Sequence, residues 1–205
     1  MELPSKYLRE AVEQLSTLPG IGKRTALRLV LDILKRPEDE VARFSNAFVA
    51  LKSEIKTCQK CGNLSDALIC SICADPRRDH QTVCVVEDLR DILAIEATTM
   101  YNGVYHVLGG VISPMDGIGP EELNISSLLD KIKTDAVKEV ILALNTSMEG
   151  DTTNFYLYKK IQPFNIKVTT ITRGISVGAE LHYADEISLG RSLSQRIPFE
   201  TTFEF

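Results

Sequence analysis

Four of the five cysteines stand in two closely spaced pairs, Cys58 with Cys61 and Cys70 with Cys73. Two C-x2-C pairs separated by a short gap have the spacing of a tetrahedral zinc site. Because the four thiolates come from sixteen consecutive residues, the site is closed and leaves no open position for a substrate. The sequence therefore predicts one structural Zn²⁺ rather than a catalytic metal.

Two other interpretations of the cysteines stay open, a disulfide pair and chance clustering. Disulfides are uncommon in proteins that are not secreted, and the start Met1-Glu2-Leu3-Pro4 has neither the basic residues nor the apolar core of a signal peptide. The fifth cysteine, Cys84, lies in an apolar run and is interpreted as a small buried hydrophobic residue. Since no apolar run approaches the length of a membrane span, we expect a cytoplasmic protein.

The segment 5–56 has the apolar spacing of amphipathic helices. The first helix is expected to bury Leu8, Val12 and Leu15. The second, from about Lys23 to Leu34, is expected to bury Ala26, Leu27, Val30, Leu31 and Leu34. The third is expected to bury a stripe formed by Val41, Phe44, Phe48, Leu51 and Ile55.

The turn between the first two predicted helices reads LPGIGKRTA over 18–26 and resembles the hairpin of a helix-hairpin-helix motif. Glycines let the chain approach a phosphate closely, and backbone N–H groups at a helix start point at the anion. The alternative is a plain linker with a Pro-Gly turn. Residues 1–60 carry 11 Lys/Arg against 8 Asp/Glu, a net of +3, whereas 61–205 carry 12 against 20, a net of −8. The candidate DNA-binding residues are Gly20, Gly22, Lys23, Arg24 and Arg28.

Beyond residue 80 the pattern changes to short apolar runs that alternate with amphipathic segments. The predicted strands are 83–86, 104–108, 140–144 and 168–171. The predicted helices between them are 89–96, 125–132 and 153–161. Strands alternating with helices predict a largely parallel α/β sheet. The loop 112–120 is expected at the strand ends, where α/β proteins place functional groups.

The α/β part resembles a Toprim domain, the acidic phosphoryl-transfer module of topoisomerases and primases. That family places a glutamate after the first strand and a D-x-D pair after a later one, and these carboxylates hold Mg²⁺. Glu87 matches the glutamate, but Asn145 and Ser147 stand in the positions of the two aspartates. Neutral side chains are poor substitutes for carboxylates around a hard dication. The sheet is expected to persist without metal-assisted strand cleavage.

The three parts in this order, with the stretches 105–110 (YHVLGG), 113–120 (SPMDGIGP) and 178–186 (GAELHYADE), resemble the RecR family of bacterial recombination mediators. The resemblance implies a DNA-repair scaffold that works with RecO and RecF to load RecA on gapped single strands. It also implies a homo-oligomer, a ring-shaped tetramer that encircles DNA, and a location at the nucleoid. The tail 197–205 matches none of the family's features.

Together these arguments predict an α+β protein in several parts. The expected parts are a helix-hairpin-helix domain (1–56), a four-cysteine zinc module (57–78), a Toprim-like domain (79–174) and a C-terminal segment (175–205). The acidic residues expected to bind a partner, for which the resemblance suggests RecO, are Glu87, Asp88, Glu149 and Asp151. The expected function is that of a non-enzymatic scaffold that binds DNA junctions independently of sequence.

The alternative function is a Mg²⁺-dependent Toprim nuclease or primase, which the replacement of the two aspartates disfavours. A zinc-binding transcription factor would need a recognition helix beside the metal, and the segment 74–80 is too short to supply one.

Overall fold

The computed structural model describes residues 3–172, 174–175, 178 and 180–196. The chain divides into two compact units, and the division falls between Ile55 and Lys56. Within the described residues, no helix is long and apolar enough to cross a membrane.

The first unit consists of three helices, as the sequence predicts. They are α1 (Lys6–Ser16), α2 (Lys23–Ile33) and α3 (Glu38–Glu54). Its core is small because only α1 and α2 pack closely. Val12, Ala26 and Val30 are buried there, and Leu8, Leu15 and Leu27 pack against them.

The predicted core faces of α2 and α3 are partly wrong. Leu31 of α2 and Leu34, the C-cap residue directly after it, are exposed, and α3 buries none of its residues. Phe44 and Phe48, which were expected in the core, are 43% and 59% exposed and contact each other edge to face with ring centroids 5.1 Å apart. Helical periodicity identifies an apolar face correctly, but it does not show what covers that face.

The second unit begins with the cysteine-containing segment. A two-residue antiparallel pair, β1 (Lys56–Thr57) with β2 (Leu64–Ser65), is followed by the short helix α4 (Ser71–Ala74). Three-residue 3-10 turns later in the unit lie at 114–116, 120–122, 162–164 and 181–183.

The rest of the second unit is built on a four-stranded sheet that is parallel throughout, in the order β4-β3-β5-β6. The strands are β3 (Asp79–Val86), β4 (Gly103–Val107), β5 (Glu139–Leu142) and β6 (Lys167–Thr170). The helices are α5 (Leu89–Ala97), α6 (Ile125–Thr134), α7 (Met148–Ile161) and α8 (Glu186–Ser194). The predicted parallel sheet is thus confirmed.

The sheet is buried on both faces, as its continuous apolar strands require. On one face, Val83 and Val85 of β3 share a core with Leu128 of α6 and Leu157 of α7. On the other face, Cys84 lies in a second cluster with Val86, Ile92 of α5 and Tyr105. The expectation that Cys84 is a buried hydrophobic residue is confirmed, since its side chain is 2% exposed.

Two element starts differ from the sequence prediction by more than one residue. Helix α7 begins at Met148, five residues before the expected Thr153, because the Ser147 side chain caps it by accepting a hydrogen bond from Gly150 N–H at 3.1 Å. Strand β3 begins at Asp79 rather than Val83, and its first residues are only half-buried or exposed. The loop 112–120 is tied to α7, since Ile112 N–H donates to Thr153 Oγ1 at 2.8 Å.

His106 is a wholly buried residue of β4. Its Nε2 lies 2.7 Å from the Asn124 carbonyl oxygen, while its Nδ1 has no partner among the described residues. Burial lowers the pKa of this imidazole to about 4. The ring is therefore neutral at pH 7 and has a structural role.

We predict that His106 makes the stability of the second unit fall as the pH drops from about 6.5 to about 4. In that window the unfolded chain binds a proton that the folded chain excludes. The free energy of unfolding therefore falls by about 3 kcal/mol over the whole range. His106→Gln keeps an N–H donor near Asn124 but does not titrate. Denaturant unfolding at several pH values, with zinc saturating, should show a shallower decline for this variant. Parallel pH profiles for the two proteins would contradict the prediction.

Candidate functional site

The four paired cysteines converge in one buried cluster. Their sulfur atoms all lie within 4.8 Å of one another, and no other group of three or more potential metal ligands comes together within the described part of the chain. None of the four forms a disulfide. Each side chain is 2–3% exposed. The disulfide interpretation is wrong, and four convergent thiols form a donor set that fits one tetrahedral zinc ion.

Backbone groups orient the sulfur atoms. Cys70 N–H donates a hydrogen bond to Cys58 Sγ with an N–S distance of 3.3 Å, and Cys73 N–H donates to Cys70 Sγ at 3.5 Å. A hydrogen bond from Cys61, assisted by the positive charge of Lys131, lowers the pKa of the Cys73 thiol to about 6. These contacts favour the thiolate at Cys73, which is the form that binds a metal. The hydrogen bond with Cys73 and burial raise the pKa of the Cys61 thiol, and burial raises the pKa of the Cys70 thiol.

The cysteine module covers the outer edge of β4. Cys61 supplies its carbonyl oxygen to Val107 N–H at 2.7 Å, and the Asn124 side chain donates to the Val107 carbonyl at 3.2 Å. Lys131, 8% exposed, donates from Nζ to the Tyr105 carbonyl at 3.3 Å. The sequence patterns did not predict these roles of Lys131 and Asn124. A signal for Lys131 was present, since it adjoins Ile132 on a helix face that is otherwise apolar.

A second network anchors the end of the module. The Arg78 guanidinium donates to Glu96 through both terminal nitrogens, at 2.8 and 2.5 Å, and also to the Gly103 carbonyl at 3.3 Å. Tyr105 Oη donates to Glu96 at 2.7 Å. These bonds hold the pKa of Glu96 below its ordinary value, chiefly through Arg78. The arginine thus ties the chain that leaves the cysteines to α5 and β4.

The predicted hairpin lies between α1 and α2. Gly20 has φ +80°, a left-handed conformation that favours glycine, and Gly22 is the N-cap of α2. Gly22 has no side chain to satisfy the first N–H groups of the helix, and the first turn contains no acidic residue. Lys23 and Arg24 are both exposed at this helix start. The arrangement leaves backbone donors and two cations facing solvent together.

Arg28 lies one turn further along α2 than Arg24. The two arginines line a shallow cleft of about 380 Å³ together with Leu27, Leu31 and Lys35. Of the five predicted DNA-binding residues, Arg24 and Arg28 therefore share one side of α2, and the other three lie at or just before its amino-terminal end.

The predicted acidic residues lie at the carboxyl ends of β3 and β5. Glu87 directly follows β3, and its Oε2 accepts a hydrogen bond from Asn145 Nδ2 at 2.8 Å. An amide donor therefore stands where the Toprim pattern has a metal-binding aspartate. The backbone of Asn145 also restricts position 150 to glycine, because a Cβ at Gly150 would lie 2.0 Å from the Asn145 carbonyl oxygen.

The four acidic residues differ in their surroundings. Asp88 is the N-cap of α5, accepts from Arg90 N–H at 2.7 Å and forms an ion pair with the Arg90 side chain. Asp151 lies 3.6 Å from Arg191 of α8. Glu149 is exposed in the first turn of α7. Arginines thus partly offset the charges of Asp88 and Asp151, whereas Glu149 is the fully exposed carboxylate of the four.

Asp185 also proves to be structural. It caps α8 by accepting from Ser188 N–H at 2.9 Å, and that bond lowers the pKa of the carboxyl.

Family models match along almost the whole chain. The RecR helix-hairpin-helix model matches residues 8–51, the RecR four-cysteine zinc finger model 55–75, the Toprim domain model 81–172 and the RecR C-terminal model 174–197. A "Recombination protein RecR" of Flavobacterium johnsoniae is 57% identical over 204 residues, which is 100% of this chain and 99% of that protein.

The chain belongs to the RecR family. Relatives of the same name in Bacteroides thetaiotaomicron and Porphyromonas gingivalis are 55% and 52% identical, and each alignment covers 98% of both chains. The resemblance inferred from the motifs is confirmed. So are the α+β fold class, with its helix-hairpin-helix, zinc and Toprim parts, and the single structural zinc. Membership of RecR makes this a protein of DNA recombination and repair.

We predict that Cys73→Ser releases the zinc and loosens the start of the second unit. Zinc binding to small modules has an apparent free energy of about 10–16 kcal/mol, so the loss of one thiolate is severe. Cys84→Ser is the matched control, because Cys84 is equally buried but lies outside the cluster. Elemental analysis should find one zinc per chain in the wild type and in the control. Full zinc occupancy in Cys73→Ser would contradict the assignment.

Proposed function

We propose that this protein is a non-enzymatic DNA-binding scaffold that acts with RecO and RecF to load RecA at single-stranded gaps. The observation that carries this proposal is the hydrogen bond from Asn145 to Glu87. In a Toprim enzyme this place would hold two carboxylates and a Mg²⁺ ion. Here the glutamate is oriented by a neutral amide, which cannot bind a metal as a charged ligand and at the same time keep that bond.

The hairpin supports sequence-independent DNA binding. The uncapped start of α2 presents N–H groups, and Lys23 and Arg24 add charge at the place where a phosphate oxygen would lie. Phosphate contacts of this kind position a protein on DNA without reading bases. The exposed Arg28 extends the contact along the helix.

The face around Glu87 and Glu149 is proposed to dock a basic partner, RecO. Glu149 is exposed and Glu87 is half-buried, so both carboxylates can be reached from solvent. Asp88 and Asp151 are assigned a supporting role, because nearby arginines offset their charge. Electrostatic complementarity at such a surface favours association and selects the partner.

The exposed apolar surface of the first unit supports a homo-oligomer, which we propose to be a ring-shaped tetramer around DNA. Phe44, Phe48 and Leu51 are each at least 43% exposed along α3, and Leu34, directly after α2, is 67% exposed. An apolar stripe of this kind on a helix is more typical of an interface than of a solvated surface.

The proposed parts then have separate roles. Residues 1–56 bind DNA, 57–78 hold the zinc, 79–174 dock the partner and 175–205 are the C-terminal segment. A scaffold of this kind would act in the cytoplasm, at the nucleoid.

We predict that Lys23→Ala with Arg24→Ala weakens binding to gapped DNA about equally for unrelated sequences. The slope of log K against log salt should fall by about one for each lost phosphate contact. Arg36→Ala with Arg43→Ala removes the same charge from the same unit at exposed sites that are already ion-paired with Asp32 and Asp39. Salt titrations of all three proteins test this. Equal slopes in the two double variants would contradict a specific role for the hairpin.

We predict that Glu149→Lys weakens RecO binding by about tenfold or more while DNA binding by the first unit is retained. Glu121→Lys is the control, an equal charge reversal at another exposed position of the second unit. Calorimetry with purified RecO gives the affinities, and equal effects of the two variants would count against this docking face. Mg²⁺-dependent turnover on DNA that disappears in Glu87→Ala would instead support the alternative of a Toprim enzyme.

A further inference from the structure

A buried cation lies beside the cysteine cluster. Lys131 belongs to α6 and is only 8% exposed. Its Nζ donates to the Tyr105 carbonyl at 3.3 Å, and no carboxylate of the described residues forms an ion pair with it. A lysine is almost never buried without a partner, because removing an ammonium group from water is costly. The buried position of Lys131 therefore calls for an anion of another kind.

The Tyr105 carbonyl places the Lys131 ammonium next to the cysteine module. Tyr105 and Val107 both turn their backbone groups toward the outer edge of β4, since alternate residues of a strand face the same side. Val107 N–H donates to the Cys61 carbonyl at 2.7 Å. The ammonium of Lys131 and the backbone of the module thus contact adjacent groups of one strand edge.

The four sulfur atoms differ in their backbone donors. Cys58 Sγ accepts from Cys70 N–H at 3.3 Å, and Cys70 Sγ accepts from Cys73 N–H at 3.5 Å. Cys61 has a backbone donor as well. Within the described residues, no backbone N–H donates to Cys73 Sγ. After the hydrogen bond from Cys61, the positive charge of Lys131 does most to lower the pKa of the Cys73 thiol.

The charge of a bound metal centre explains why a buried ammonium belongs here. A zinc ion held by four thiolates has a formal excess of two negative charges. Each cysteine side chain is 2–3% exposed, so water compensates little of that charge. Removing one partner of a buried charge pair leaves the other uncompensated, which is strongly unfavourable. Lys131 brings its positive charge to the sulfur that lacks a backbone donor.

We propose that Lys131 is a positioning residue of the zinc centre, whose ammonium compensates the negative charge of the zinc-bound cysteines at Cys73. It thereby increases the affinity of the four cysteines for the metal. Groups that surround the ligands of a metal in this way commonly change its affinity about 10- to 100-fold. The proposal does not depend on DNA binding or on the docking of a partner.

Zinc competition against a chromophoric chelator tests the affinity on the full chain. Lys131→Gln removes the charge but keeps a hydrogen-bond donor, and it should weaken zinc binding about tenfold or more. Lys131→Arg keeps the charge and should restore most of the affinity. Lys133→Gln is the matched control, because Lys133 lies on the exposed side of the same helix and pairs with Asp130. The control should bind zinc as the wild type does.

Cobalt substitution separates compensation of charge from a purely structural role at the Tyr105 carbonyl. The sulfur-to-cobalt charge-transfer absorption depends on the electron density of the thiolates, which a nearby cation lowers. The absorption should move to longer wavelength in Lys131→Gln. It should move in the same direction in Lys131→Met, a second neutral variant that keeps the length of the side chain. Lys131→Arg and Lys133→Gln should keep the spectrum of the wild type.

Either of two results would overturn the proposal. Zinc affinity that is the same in Lys131→Gln and the wild type would show that Cys73 needs no compensating charge. A cobalt absorption that stays in place in both neutral variants would mean that Lys131 only holds the Tyr105 carbonyl.

Discussion

The second unit depends on the convergence of four cysteine sulfur atoms from one short segment. A cluster of thiolates within 4.8 Å of one another is held together only if a cation neutralises the repulsion between them. With zinc bound, the segment around Cys61 has a fixed shape, and its carbonyl oxygen can serve as a partner for Val107 N–H. The metal site therefore acts on the sheet through the backbone of β4, beyond its immediate surroundings.

The Toprim-like part shows how a site keeps its geometry while its chemistry changes. Asn145 occupies an aspartate position and donates to Glu87, and Ser147 caps α7. Gly150 is still required, since any side chain there would collide with the Asn145 carbonyl. The turn after β5 and the start of α7 therefore survive the loss of two carboxylates, because caps and close backbone approach stabilise them rather than a metal ion.

The two units differ in how their outer groups are covered. The β4 edge of the sheet is closed by Arg78, Lys131, Asn124 and the cysteine module, and each closing group is a polar donor or acceptor. The first unit has the opposite character, because α3 exposes an apolar stripe that its own unit does not cover. A sheet edge that is covered by polar groups can stay in contact with water, whereas an exposed apolar stripe on a helix is typical of a surface that another protein surface covers.

The sequence by itself determined the local features of the chain. Cysteine spacing, helical and strand periodicity, and the Gly-Lys-Arg turn depend on residues that are close together, so the zinc ligands, the three N-terminal helices and the parallel sheet were predicted correctly. Only the tertiary structure decided which predicted faces are covered and which charges are neutralised. The burial of Lys131 and the hydrogen bond between Glu87 and Asn145 each depend on contacts between segments far apart in sequence. The exposure of Phe48 depends on the absence of any element of its own unit that covers that face of α3. Helical or strand periodicity contains no information about such partners, because it reports only the neighbours within a few residues.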